Sequence, residues 1–367
     1  MYQQSARNEL NWMITVLDRI VLEATQLPEV ERLFRERYEP AAAERGLRLV
    51  SREISPPLML AEAPLTLWQR WEVADVGAWW NMRAQSGTPS VAEFWQRIDA
   101  LTISRERVYP GAHTASELPA PIGNASDVAS RGYRETAQLR VREGSIDTLD
   151  AGLREVMALL PGAEHTALAR NFAPEYAAGH LTWDHLYPDA STAGEAQKST
   201  VWRQHIAPLL DQHCDAIHAL AMDTVGAGLR APGIANGVKR TAFFRLQPGV
   251  DADTAARFER DLLAMPLYIP EIRNWRLSRA STAGWHRADA TDWTWVWEQE
   301  FNDLDGLTGP YMIHPHHWAH IDRWFDPESG DQAIDVNLSH AFSAFGESLL
   351  ALELIPPGIN GLCNQAR

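Results

Sequence analysis

Histidines crowd one short stretch of this chain, at His314, His316 and His317 in Tyr311-Met312-Ile313-His314-Pro315-His316-His317, with His320 just beyond. Neutral and protonated imidazole are both accessible near neutral pH, so such a cluster can move protons without a cofactor. On a helix, Tyr311, His314 and His317 fall at intervals of three, within reach of one another along one face. His317 is the candidate general acid/base, against the plainer reading of a helix histidine capped by water or packed at an interface. Tyr311 is the candidate proton relay, against ordinary strand-to-helix packing. His314 is expected to orient the turn by a hydrogen bond, and His316 and His320 to be solvated or at an interface. The spacing of His314, His317 and His320 would also permit a metal, but no carboxylate or cysteine stands in the local pattern, and no metal is expected.

The elements that must position these residues are read from periodicity. Strand, helix, strand, strand, helix, strand occurs three times at a spacing near one hundred residues. Units are expected over 10–109, 133–226 and 238–345, followed by a tail over 346–367. In the third, strands are expected over Arg240 to Gln247, Ile272 to Arg279, Trp293 to Phe301 and Ala333 to Phe345, with helices over Ala252 to Met265 and Leu304 to Phe325. In the second, Glu135-Thr136-Ala137-Gln138-Leu139-Arg140 aligns without a gap on Arg240-Thr241-Ala242-Phe243-Phe244-Arg245. The first is more diverged, with one helical stretch expected over Val76 to Leu101. Linkers are placed at Pro110 to Gly132 and Gly226 to Gly237. A βαββαβ unit makes a four-stranded antiparallel sheet with both helices on one face, leaving the other face to be covered. Two units can pair within the chain, and the odd one predicts a homodimer. The fold class is α+β, as tandem ferredoxin-like units of dimeric α/β-barrel type.

Fifteen tryptophans are unevenly placed, with seven between Trp275 and Trp324. Packing accounts for most of them singly; as a set they suggest an aromatic-lined pocket. Trp293, Trp295 and Trp297 alternate, so all three are expected on one face of a strand. Trp183, His185 and Tyr187 alternate likewise in the second unit, where packing is the preferred reading.

With 48 acidic against 33 basic residues the formal net charge is −15, which disfavours nucleic acid and anionic lipid as partners. Cys214 and Cys363 frame neither a zinc site nor a disulfide network. Met1 to Trp12 lacks the pattern of an export signal and no run of eighteen apolar residues occurs, so a cytoplasmic protein is expected. No glycine-rich phosphate loop and no Gly-x-Ser-x-Gly elbow is present, which disfavours nicotinamide or flavin on a Rossmann unit and an α/β hydrolase.

The third unit resembles a stress-responsive dimeric α/β-barrel (Dabb) domain of the ferredoxin-like barrel superfamily. The resemblance is carried by Gln247-Pro248-Gly249-Val250 after the first strand, Ile269-Pro270-Glu271-Ile272 before the second, and Tyr311-x-x-His314-Pro315-x-His317. It implies several outcomes. Plant polyketide cyclases of this type use a Tyr and a His matching Tyr311 and His317 in a cofactor-free aldol condensation. Related barrels include cofactor-independent monooxygenases, haem-binding enzymes, isomerases and proteins without known activity. Where the cyclase has a first-strand histidine, this chain has Arg240, a permanently charged bidentate donor that suits a carboxylate-bearing substrate, or else forms a salt bridge with Glu298 or Glu300.

The resulting expectation is a lyase without organic cofactor or metal, acting on a small aromatic carboxylic acid. Arg240 and His314 together with Trp293, Trp295 and Trp297 would bind the substrate, and Tyr311 and His317 would transfer the proton as carbon dioxide leaves. Cyclisation, haem-dependent or cofactor-free oxygenation, and non-catalytic stress-related binding are the alternatives.

Overall fold

The computed structural model describes residues 13–59, 63–111, 113, 116–122, 128–288 and 292–355. The expectations for Met1 to Trp12, for Cys363, for the tail beyond 355 and for parts of the Pro110 to Gly132 linker lie outside these residues. The chain divides into two compact units, one of 1–120 with 312–336, the other of 121–311 with 337–367.

In the first unit β1 (Ile14–Leu22), β2 (Arg48–Ser55), β3 (Leu65–Val73) and β4 (Ser104–Val108) form an antiparallel sheet in the order β2-β3-β1-β4. Strict alternation along β1 sends Ile14, Val16, Asp18, Ile20 and Leu22 into the buried face. Those apolar residues pack with Val30, Leu33, Phe34, Tyr38, Phe94 and Trp95 of the helical segments. The expected helix from Val76 to Leu101 is two helices, Val76–Arg83 and Pro89–Asp99. The Asp75 carboxylate caps the first by accepting from the Ala78 N–H, and Pro89 begins the second, where its missing N–H is harmless.

The second unit holds β5 (Ala129–Ser130), β6 (Tyr133–Val141), β7 (His165–Arg170), β8 (Leu181–Tyr187), β9 (Cys214–Leu229), β10 (Ala235–Phe244), β11 (Asn274–Thr282), β12 (Trp295–Phe301), β13 (Ser339–Glu347) and β14 (Leu354–Ile355). Eight of these form one sheet in the order β13-β10-β12-β11-β9-β6-β8-β7, and β5 pairs with β14. In chain order, each half of the sheet runs fourth, first, third, second strand, the order also found in the first unit. The halves are joined edge to edge by β9 and β11, and a bridge between Asn171 and Ser343, beside the Phe172 N–H donating to the Phe342 carbonyl at 2.7 Å, brings the outer edges together into a near-barrel. Joining edges removes exposed strand edges, which two sheets stacked face to face would leave.

Three expectations about elements are corrected. Gly226 and Gly228 are strand residues, and only 230–234 separates β9 from β10. A Cβ on Gly228 would lie 2.0 Å from the Trp275 indole, so the glycine admits that ring against the backbone and does not mark a linker. The helix expected from Leu304 to Phe325 is broken into a short turn at Leu304–Gly306, π-turns at Leu307–Tyr311 and His316–Ile321, and a 3-10 turn at Asp322–Trp324. Pro310 and Pro315 remove two N–H donors there, and the chain passes from the second unit to the first between Tyr311 and Met312. The last strand begins at Ser339, not Ala333.

Candidate active site on the helix-facing side of the second sheet

Side chains alternate across a strand, and in β10 this sorts charge. Lys239, Thr241 and Phe243 point to the inner face of the near-barrel; Arg240, Ala242 and Phe244 point to the helix Ala252–Tyr268, where Phe244 meets Phe258 at a ring separation of 5.9 Å. On the inner face every cation has a carboxylate. Lys239 Nζ lies 2.6 Å from Glu298 and 2.8 Å from Asp184, Arg134 lies 2.9 Å from Glu298 and 2.7 Å from Glu353, and Arg276 lies 2.6 Å from Glu353. Burial raises the Glu298 carboxyl, and Arg134, Lys239 and Arg276 overcome that to bring it down to about 2. The salt bridge considered for Arg240 with Glu298 thus belongs to its neighbour Lys239, because the pleat turns Arg240 to the opposite face.

Arg240 is 5% exposed and has no carboxylate partner among the described residues. Its Nη1 donates to Gln299 Oε1 at 2.8 Å, directly across from it on β12, and its Nη2 lies 2.8 Å from His340 Nδ1 on β13. Burial pulls the guanidinium below its usual value, with Tyr311 opposing. A guanidinium only donates, so His340 Nδ1 accepts and the neutral ring carries its proton on Nε2. The same rule fixes Gln299: its oxygen faces Arg240 and also accepts from the Tyr311 hydroxyl at 3.3 Å, which leaves the amide Nε2 without a partner among the described residues. Trp297, two residues away on the same face, also has an indole N–H with no partner among the described residues. Tyr311 is buried against Phe301 at a ring separation of 5.3 Å; burial raises its hydroxyl above the ordinary value, and Arg240 and Gln299 offset only part of that. The phenol therefore holds its proton at neutral pH.

The structure brings Arg240, Trp297 and Tyr311 to one helix-facing surface. Trp295 shares that face, donating from its indole to Glu259 at 2.8 Å. Trp293 does not. It precedes β12, packs with Phe243, Val296 and Leu220 on the inner face, and donates to His218 Nδ1 at 3.1 Å. The expectation that three indoles share a face fails because the strand's alternation begins only at Trp295. His314 and His317 belong to the first unit, where His314 Nδ1 accepts from the His316 N–H at 3.1 Å and the His317 ring lies 5.0 Å from Trp80. Burial lowers His314 to about 4. No group of three or more histidine, cysteine, aspartate or glutamate side chains is placed to hold a metal ion among the described residues. Gln299 and His340 were not among the sequence candidates, because β10, β12 and β13 are far apart in the chain and nothing local discloses their register.

The counterpart surface on β6 and β8 carries Glu135 where β10 carries Arg240. Glu135 stands opposite His185 and accepts from the Trp285 indole at 2.8 Å and from Gln197 at 3.2 Å. Burial raises the Glu135 carboxyl and lowers His185 to about 3. Trp183, Trp202 and Trp285 pack edge-on or stacked around them, with Tyr187 beside His185.

Among the described residues, no helix is long and apolar enough to cross a membrane. No curated protein matches the chain. Among solved structures, an anthrone oxidase-like protein is 8% identical over 63% of this chain and 100% of its own, with a TM-score of 0.44. A chlorite dismutase variant from Candidatus Nitrospira defluvii is 6% identical over 59% and 92%, with a TM-score of 0.35. A protein of Lactobacillus acidophilus whose title proposes a monooxygenase is 10% identical over 63% and 99%, with a TM-score of 0.37. Residues 238–337 match the family model of the stress responsive A/B barrel domain. The chain therefore carries a Dabb domain, and that domain supplies Arg240, Trp297, Gln299 and Tyr311.

Proposed function

We propose that the Dabb domain is the catalytic part of a lyase that needs no organic cofactor, and that it removes carbon dioxide from a small aromatic carboxylic acid. The observation that carries this reading is a buried guanidinium without a carboxylate, Arg240, set beside a phenol that keeps its proton, Tyr311. A buried cation without a counterion is costly, and a substrate carboxylate is the group that removes the cost. Arg240 would take one carboxylate oxygen, the free Gln299 amide or the Trp297 indole the other, and the surrounding aromatic rings the substrate ring.

Tyr311 then gives its proton to the carbon that bears the carboxylate, a ring carbon in a resorcylic acid and the alkene carbon in a phenylpropenoic acid. A carbon–hydrogen bond forms, the carbon–carboxylate bond breaks, and its electron pair restores the aromatic ring or the alkene as carbon dioxide leaves. The tyrosinate recovers its proton from solvent. A protonated, buried Tyr311 favours this direction over cyclisation, which asks the same group to abstract a proton. The family resemblance pairs Tyr311 with His317, and we retain His317 as a proposed proton-transfer residue to be tested separately.

The test is mass spectrometry of native and Tyr311→Phe protein incubated with phenylpropenoic and resorcylic acids. Loss of carbon dioxide with the native protein, reduced at least about a hundredfold in the variant, is expected. Turnover unaffected by the substitution would remove Tyr311 from the mechanism, and no product from any acid would overturn the lyase reading.

A further inference from the structure

The first unit contains a carboxylate site that the chain itself fills. Asp18 on β1 and Arg107 on β4 stand opposite each other in register, and the Arg107 Nε and Nη2 bond the Asp18 oxygens at 2.7 and 3.0 Å. Asp18 also accepts from the Trp71 indole at 2.9 Å. The remaining nitrogen of Arg107, Nη1, meets Glu328 Oε2 at 2.9 Å. Arg45 reaches both Glu328 oxygens, at 2.8 and 3.3 Å, and Oε1 accepts further from the Tyr38 hydroxyl at 2.6 Å and the Trp95 indole at 3.1 Å. Four side chains, delivered by β4 and the helical segments, converge on one carboxylate, and all are buried.

Glu328 comes from neither strand nor helix. It lies in a turn, Asp326-Pro327-Glu328-Ser329-Gly330, tied down by Arg105 through the carbonyls of Pro327 and Glu328 at 2.9 and 2.7 Å. Asp18 already balances Arg107, so without Glu328 the pocket would hold Arg45 as an unmatched buried cation, with the Tyr38 and Trp95 donors unpartnered. The donor set is that of a receptor for a short carboxylate: two guanidinium groups, a phenol and an indole N–H, arranged for both oxygens.

We propose that the space between sheet and helices in the first unit is a carboxylate-binding site whose resident ligand is Glu328, supplied in cis, and that a small free carboxylate binds there whenever the Glu328 side chain is withdrawn. The site takes short aliphatic acids of the size of the glutamate side chain, and in the native chain it is closed to them.

The test is thermal unfolding of native, Glu328→Ala and Glu328→Gln proteins, followed by the fluorescence of the tryptophans, in increasing propionate against sodium chloride and propionamide at matched concentration. Both variants melt below the native protein, and propionate raises the midpoint of Glu328→Ala saturably, by roughly 5 °C, as expected for a ligand bound only by the folded state, whereas Glu328→Gln, whose amide still fills the site, responds to propionate no more than to chloride. The native protein shows no response beyond that to chloride. If the alanine variant is unfolded by itself, folding on addition of propionate and not of propionamide is the expected result, and failure of propionate to fold it any better than propionamide overturns the proposal. Equal effects of propionate and chloride on Glu328→Ala would overturn the proposal and leave Glu328 as a structural ion pair.

Discussion

Arg107 and Arg240 are both buried strand residues facing the helices of their own unit, yet their chemistry differs. Arg107 has two carboxylates, Asp18 and Glu328, at 2.7 and 2.9 Å. Arg240 has an amide and an imidazole in their place. In the first unit the carboxylate is part of the chain and the arginine secures the fold. In the second, Glu298 pairs with Lys239 and Arg134, and Glu353 with Arg276, across the pleat, and Arg240 is left with neutral partners. The difference separates an arginine spent on stability from one available to a ligand.

The largest effect expected from breaking this contrast is at Glu328. Glu328→Ala leaves a guanidinium buried and unpaired and should cost about 3–5 kcal/mol, read as a large fall in denaturation midpoint. Tyr311→Phe should come next, with at least about a hundredfold lost in turnover, equivalent to about 2.7 kcal/mol at the transition state. Arg240→Met should lower kcat/KM for aromatic acids by roughly thirtyfold or more. It should also leave the melting temperature unchanged or raise it, because it removes a buried charge that the chain does not pair. Arg107→Met should lower the melting temperature sharply. If the two methionine variants destabilise alike, the contrast fails.

Acid sharpens the same comparison. Burial works to raise the Glu328 carboxyl, and Arg107 and Arg45 overcome it, holding the group well below its usual 4.5. A carboxyl whose value is depressed in the folded state contributes stability that is fully present above about 4.5 and is lost as pH falls below it. Glu135, raised by burial, has the opposite sign: it costs stability as pH rises through the ordinary carboxylate range. The acid limb of the stability curve should therefore flatten in Glu328→Gln, while Glu135→Gln should slightly raise stability at neutral pH; equilibrium unfolding between pH 3 and 7 checks both. The smallest effect is on assembly. The proposed pairing through the odd unit makes a dimer by light scattering, and a monomer would count against it.

Much of this arrangement was legible in the sequence and some of it was not, for physical reasons. Strand alternation and amphipathic helices made the order of elements readable, and the helix expected from Ala252 and the strand expected to end at Phe301 begin and end there. Arg240 and Tyr311 were candidates on motif position. Gln299 and His340 were invisible because β10 pairs with strands some sixty and one hundred residues away, and only the register puts them beside Arg240. Glu328 was invisible for a different reason: Asp-Pro-Glu-Ser-Gly has the composition of a solvated turn, and nothing local announces a buried carboxylate. The tryptophans were read as packing or pocket wall. Several do a third thing, since Trp71, Trp95, Trp285 and Trp295 each donate an indole N–H to a buried or partly buried carboxylate, those of Asp18, Glu328, Glu135 and Glu259. That role depends on where the carboxylates are, which composition does not disclose.

The central claim, that Arg240 holds a substrate carboxylate while Tyr311 protonates the carbon it leaves, is tested most directly by single-turnover reactions in deuterium oxide with an aromatic acid from the panel, for native, Arg240→Met and Tyr311→Phe proteins. The account predicts a native product that has lost carbon dioxide and gained one deuteron at the vacated carbon, a product that Tyr311→Phe forms at least about a hundredfold more slowly and Arg240→Met forms only at raised substrate concentration. Equal rates in all three proteins, or no decarboxylated product in any of them, would contradict it.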